Sequence, residues 1–185
     1  MGWHGSFSLD EAKRRSWYNP ERILKSLSSG MTFVDIGSGE GFFSILAAKK
    51  VGASGRVYAV DIDPTGIDKL KNTANKEKLT NITVKIGRAE ETIFCEACAD
   101  LVFFSMDLHD FDDPVKVLSN ARKMIKPSGL LIDLDWKKQE MPFGPPERIR
   151  FSEKKVAELL ESAGFSMDSS EAAGPYHYII TAKPR

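Results

Sequence analysis

Long apolar runs are missing from this 185-residue chain. No stretch approaches the ~18 consecutive apolar residues of a membrane-crossing helix, which excludes that class. An excess of charge is missing too: Lys plus Arg and Asp plus Glu both total 26, for a formal net charge of zero. Proteins that draw their affinity from neutralising phosphates carry a basic excess, so no nucleic-acid partner is expected. Histidine is scarce, and His4, His109 and His177 show no metal-ligand spacing. Cysteine is scarcer, with only Cys95 and Cys98, arranged as CxxC. That pair can be a redox couple, half of a zinc site, or two ordinary half-buried thiols. A structural zinc needs four ligands, so the expectation is structural thiols and no metal. Met1-Gly2-Trp3-His4 has neither the basic flank nor the apolar run of a signal peptide, which makes the cytoplasm the expected location.

What the chain has is ordinary for a soluble globular protein: 42% hydrophobic, 10% aromatic and 28% charged residues. Its length suits one domain of the usual ~100 to 200 residues. Apolar, β-branched runs at 32–36, 57–62, 82–86, 101–104, 130–134 and 178–182 read as strands. Segments 41–51, 65–78, 114–125 and 152–163 carry apolar residues at three and four spacing and read as helices. Alternation of this kind predicts an α/β, Rossmann-like doubly wound sheet, mostly parallel, with helices on both faces. Segments 166–172 and 178–182, separated by Gly174-Pro175, are expected to close it as an antiparallel hairpin.

The sharpest local signal is Val34-Asp35-Ile36-Gly37-Ser38-Gly39-Glu40-Gly41, a strand that feeds a glycine-rich turn and opens a helix. Such a turn lets a ligand approach the backbone and meet unpaired N–H groups. Asp61 follows Gly41 by 20 residues, at the end of the next strand. In a right-handed βαβ unit those two strand ends are neighbours, so the acid can accept from both hydroxyls of a ribose. A dinucleotide fingerprint wants a small residue where this chain has Phe42. The bulk of Phe42 and Phe43 favours a nucleoside cofactor with an amino-acid tail and no pyrophosphate.

These residues resemble the class I S-adenosyl-L-methionine-dependent methyltransferases over essentially the whole chain. The first motif is the glycine turn, and the second is Val60-Asp61-Ile62-Asp63-Pro64. Gly87-Arg88-Ala89-Glu90, Ala99-Asp100-Leu101-Val102-Phe103-Phe104-Ser105-Met106 and Met124-Ile125-Lys126-Pro127-Ser128-Gly129 are similar to the later ones. Arg15-x-Trp17-x-Asn19-Pro20 and Gly174-Pro175-Tyr176-His177-Tyr178 resemble the type 11, quinone-methyltransferase-like branch. The resemblance implies a seven-stranded sheet and S-adenosyl-L-methionine as cofactor. It implies that Asp35, Gly37, Ser38, Gly39 and Gly41 hold the methionine end and Asp61 the ribose. Ile62 would cover one adenine face, Ala89 and Glu90 its edge, and Ser105 and Met106 would flank the sulfonium. Arg88 departs from the family, where many relatives carry Asp, and that moves the adenine contact to Glu90.

Methyl transfer is an in-line displacement, so alignment and water exclusion carry it and a base is optional. His109 and Asp107 are the candidate catalytic residues, because ligands in open α/β sheets bind beyond the strands' C-terminal ends. The other reading of His109 is a solvated loop residue. Trp17 and Tyr18 either anchor an N-terminal helix or close over the cofactor. The acids from Glu90 to Asp113 form either a solvated face or a rim suited to a cation. The chain is expected to be a single domain, 1–185, whose acceptor pocket is roofed by an N-terminal helical lid (1–30) and an irregular loop (136–150). The expected partner is a small-molecule methyl acceptor with an O, C or S nucleophile, a homodimer being compatible. The alternatives are an NAD-dependent oxidoreductase and a non-catalytic cofactor-binding subunit.

Overall fold

The computed structural model describes residues 11–185. Two N-terminal helices, α1 (Glu11–Trp17) and α2 (Pro20–Ile23), precede β1 (Thr32–Ile36), α3 (Phe42–Val51), β2 (Arg56–Asp61), α4 (Pro64–Lys76) and β3 (Ile82–Ile86). Then come β4 (Ala99–Ser105), α5 (Pro114–Met124), β5 (Ile125–Trp136), α6 (Glu153–Ser162), β6 (Phe165–Ala173) and β7 (His177–Pro184). The strands form one seven-stranded sheet in the order β3-β2-β1-β4-β5-β7-β6. β1 to β5 pair in parallel, and β7 runs antiparallel between β5 and β6.

Helix starts follow from side chains that satisfy the first free amides. Asp63 accepts from the Thr65 and Gly66 amides, Asp113 from Lys116, and Ser152 from Lys155. Each of Pro64 and Pro114 stands just after its cap, where a missing N–H costs nothing. Alternate residues of the central strands go to opposite faces. Val34, Val102 and Phe104 pack toward α5 and α6, while Phe33, Leu101 and Phe103 pack toward α3 and the N-terminal helices. β6 is different: from Ser166 to Ala172 its side chains are exposed, which suits its place at the sheet edge.

The strands outrun their apolar runs. β5 begins at Ile125, ahead of the expected 130–134, because Ala99 pairs with Ile125 before the register shifts at Leu101. Strand order reverses at β1, whose neighbours are β2 and β4. Ligands of doubly wound sheets bind beyond the strand C-termini at such a point. Among the described residues no helix is long and apolar enough to cross a membrane.

Candidate active site

Two cavities open beyond the C-terminal ends of β1, β2 and β4, one on each side of Gly37. The first is lined by Arg14, Asp35, Ser38, Gly39, Phe42, Ser105, Met106, Asp107, His109, Trp136 and Pro145 among others. The second is lined by Val60, Asp61, Ile62, Arg88, Ala89, Glu90, Phe111 and Asp112 among others. Nearly every residue expected at a cofactor site therefore lies on one of two adjoining walls. Gly41 is the exception: it starts α3, and a Cβ there would run into Leu70 of α4.

The turn itself explains the glycines. Gly37 adopts φ +70, and a side chain there would collide with the Asp107 carboxyl. Gly39 adopts φ +51, and a Cβ there would meet nothing within 4 Å, so its missing side chain leaves the cavity open. Asp61 braces the turn from β2. One of its oxygens accepts from the Gly39 amide at 2.7 Å and the other from the Asp63 amide at 2.8 Å. Each oxygen keeps a lone pair for a further donor.

Ile62 stands 54% exposed on the rim of the second cavity, an apolar surface without a protein partner to cover it. Arg88 spans this cavity's edge, donating to Glu90 at 3.2 Å and Asp112 at 2.7 Å. The short turn Ala89–Glu91 is held from beneath by Asn120 of α5, whose amide donates to the Ala89 and Glu90 carbonyls at 3.1 and 2.8 Å. Asn120 carries no sequence signal, since one buried amide on a helix face looks like any other.

Polar groups around the first cavity are buried and short of partners. Ser44 donates to one oxygen of Asp35 at 2.5 Å, leaving the other unpaired. Burial lifts the Asp35 carboxyl from its usual 3.8 to about 7, against the Ser44 hydrogen bond. Ser38 Oγ, Ser105 Oγ and both Asp107 oxygens likewise have no hydrogen-bond partner among the described residues. His109 is buried, so the solvated-loop reading is overturned. Its Nδ1 lies 2.9 Å from Asp135 Oδ2, and Asp135 Oδ1 accepts from the Trp136 amide at 2.7 Å. Because a carboxylate only accepts, Nδ1 carries the proton and Nε2 offers its lone pair. Burial lowers the affinity of this imidazole for a second proton, but the Asp135 charge and hydrogen bond outweigh it and raise the pKa above 6.5.

The wall above is aromatic. Trp17 stacks on Phe143 at 5.2 Å and meets Trp136 and Tyr176 edge-on, each at 5.6 Å. Trp17 and Tyr18 are thus buried anchors: Trp17 fastens the N-terminal helix to segment 136–150, and Tyr18 packs on Phe43 of α3 and His177 of β7; of the cavity wall itself, α1 supplies Arg14. Residues 1–10 of the expected lid, with Trp3 and His4, lie outside the described residues. Segment 136–150 is organised by buried Arg150, which donates to the carbonyls of Pro145, Gln139, Phe143 and Lys137 at 2.7 to 3.3 Å. Arg150 carries no sequence signal, and only its burial distinguishes it from a surface charge.

Cys95 and Cys98 are joined as a disulfide, which corrects the expectation of two free thiols. They are half-buried and precede Ala99, the first residue of β4, at the end of that strand opposite Ser105. Seven strand residues at roughly 3.3 Å each separate them from the site. Among the described residues no group of three or more His, Cys, Asp or Glu is placed to hold a metal.

Residues 27–176 match the family described as Methyltransferase domain. A SAM-dependent methyltransferase of Aquifex aeolicus has a crystal structure that superposes with a TM-score of 0.89, at 31% identity over 95% of each chain. The ubiquinone/menaquinone biosynthesis C-methyltransferase UbiE of Hydrogenovibrio crunogenus is 29% identical over 69% of this chain and 51% of its own. The arsenite methyltransferase of Halobacterium salinarum is 26% identical over 60% of this chain and 28% of its own. The chain thus spans about half or less of the length of these two curated relatives.

Proposed function

The chain belongs to the methyltransferase-domain family, and from that premise we propose that it transfers a methyl group from S-adenosyl-L-methionine to a small-molecule acceptor with an O, C or S nucleophile. The observation that carries this reading is the pair of cavities joined at Gly37, with a braced ribose-type acid on one side and unpaired buried polar atoms on the other. A cofactor with an amino-acid tail on a nucleoside fits that division. Asp61 would take the ribose hydroxyls, Ile62 an adenine face, and Ala89 with Glu90 the adenine edge. Asp35, Ser38 and Ser105 would serve the methionine end, where Asp35 Oδ1 and the two hydroxyls lack partners. When bound, the cofactor supplies an electrophilic methyl group on a positively charged sulfur.

The protein's part is alignment and the exclusion of water. Trp136, Pro145 and Phe42 wall the first cavity, and the Trp17–Phe143 contact holds the segments above it together. His109 is the group suited to accept an acceptor's proton at Nε2, with Asp135 fixing its tautomer. We read the chain as one domain with 1–30 and 136–150 as the roof of the acceptor pocket, located in the cytoplasm and compatible with a homodimer.

Calorimetric titration with S-adenosyl-L-methionine, S-adenosyl-L-homocysteine and NAD tests the reading. We expect the first two to bind and NAD not to bind. Binding of NAD alone would refute it. Methyl transfer from labelled cofactor to a panel of phenols, thiols and enolisable carbonyls then separates an enzyme from a cofactor-binding subunit, and light scattering gives the oligomeric state.

A further inference from the structure

Gly37, Asp107 and Asp110 line both cavities, so a ligand reaching from one cavity into the other passes over the Asp107 carboxyl. Asp107 is held there firmly. Met106, just before it, adopts φ +64, a left-handed conformation that non-glycine residues rarely take, and its amide donates to the Leu134 carbonyl at 2.7 Å. The carboxyl presses against Gly37, where any side chain would collide with it. Both of its oxygens are shut from solvent with no hydrogen-bond partner among the described residues.

The groups around Asp107 are mostly acids. Asp35 faces it from β1, Asp61 from β2, and Asp133 and Asp135 from β5. His109 and Asp110 stand on its own loop, and Arg14 of α1 lines the same cavity. Burial, followed by the like charges of Asp135, Asp133, Asp35 and Asp61, raises the Asp107 pKa well above the usual 3.8, which favours its protonated form when no cation is near. An opposite charge within ~4 to 6 Å lowers a carboxyl pKa by roughly one to three pH units, and a neutral ligand does not. The sulfonium joins methionine to ribose, so it is the part of the cofactor that belongs where a methionine-side cavity meets a ribose-side one.

We propose that Asp107 distinguishes the cationic methyl donor from its neutral demethylated product: the carboxyl releases its proton to solvent when a cation occupies the junction, and recovers one when that charge is lost. This rests on reading the two cavities as the site of S-adenosyl-L-methionine. The consequence is directional. Transfer of the methyl group removes the charge that paired the carboxylate, which disfavours the retained product and favours its exit.

Calorimetry in phosphate and in Tris, whose heats of ionisation differ, counts the protons exchanged on binding. For the wild-type chain at pH 7 we expect S-adenosyl-L-methionine to release up to about one proton more than S-adenosyl-L-homocysteine. The affinity ratio should then move toward the donor by up to about tenfold per pH unit. In Asp107→Asn the excess proton should vanish and the ratio should lose that pH dependence. An equal excess in Asp107→Asn would overturn the proposal. A pH-independent ratio in the wild type would also overturn it, and needs no variant to fold. Equal proton counts for two ligands that both bind would defeat only the role of Asp107, whereas binding of neither would defeat the cofactor reading with it.

Discussion

The two cavities flanking Gly37 are built in opposite ways. Beside the second cavity Asp61 is satisfied by two amides, Glu90 by Arg88, and Arg88 by Asp112 as well, Asp107 at the seam being the exception. Around the first cavity Asp35, Ser38, Ser105, Asp107 and His109 each keep at least one buried polar atom without a partner among the described residues. A satisfied wall is preorganised and stable without ligand. An unsatisfied one costs about 1 to 3 kcal/mol per orphaned group until donors arrive, so that side holds less stability and more binding potential.

The largest effect expected lies at the seam. Gly39→Val should cost more than about 100-fold in cofactor affinity, since the side chain enters space that no protein atom fills. The fold should survive, weakened by about 1 to 3 kcal/mol for a branched residue at positive φ. A cooperatively melting variant with normal affinity would reduce the turn to a corner.

Titration sharpens the contrast next. The Asp35 carboxyl is pushed up to about 7, so in the fold it binds a proton more tightly than in the unfolded chain. Its stabilising contribution is complete below about pH 4 and is lost as pH rises to about 7, with an upper bound of about 4 kcal/mol at 1.36 kcal/mol per pH unit. Asp35→Asn should therefore raise the melting temperature at pH 8 relative to wild type, with little gain at pH 4, while weakening cofactor binding. The aromatic cluster around Trp17 titrates the other way. His177, buried beside Trp17, Tyr18 and Trp136, has its pKa lowered by burial from 6.5 to about 3. Its contribution is present above pH 6.5 and is lost as pH falls toward 3, so His177→Gln should flatten that acid limb. Melting curves from pH 3 to 8 read both slopes, and slopes unchanged in the variants would break the assignment.

Arg150→Met should destabilise by about 3 kcal/mol, because it strands one buried and three part-buried carbonyls of segment 136–150. Acceptor-side function should suffer more than cofactor affinity. Chemical denaturation gives the first quantity and calorimetry the second.

On the satisfied side the expected loss is smaller. Asp61→Ala should weaken S-adenosyl-L-methionine binding by about 2 kcal/mol, roughly thirtyfold, and calorimetry on the folded variant would show an unchanged affinity if Asp61 stood outside the site. Smallest of all, Cys95→Ser with Cys98→Ser should leave cofactor affinity within about twofold, because the pair lies at the far end of β4. A large loss of affinity would mean that the two ends of the sheet are coupled.

The Asp61 side was legible because it is local. Asp61 reaches the glycine turn through a single βαβ unit whose handedness and strand spacing are general, so the 20-residue interval already implies the contact. Around the first cavity the turn and the residues after β4 were legible, but not their partners: His109, on the loop after β4, finds Asp135 of β5 26 residues on. On the Asp61 side the same holds for Asn120, which finds Ala89 across 31.

The sequence by itself determined the alternation of strands and helices, the glycine turn and the acid opposite it, because periodicity, caps and positive-φ positions are properties of neighbouring residues. Only the tertiary structure decided that His109 is buried rather than solvated, that Arg150 braces a loop rather than decorating it, that Trp17 and Tyr18 are anchors, and that Asp107 stands between two cavities. Burial and charge neighbourhood are set by segments brought together from across the chain, and a carboxyl or guanidinium has the same letters whether water reaches it or not.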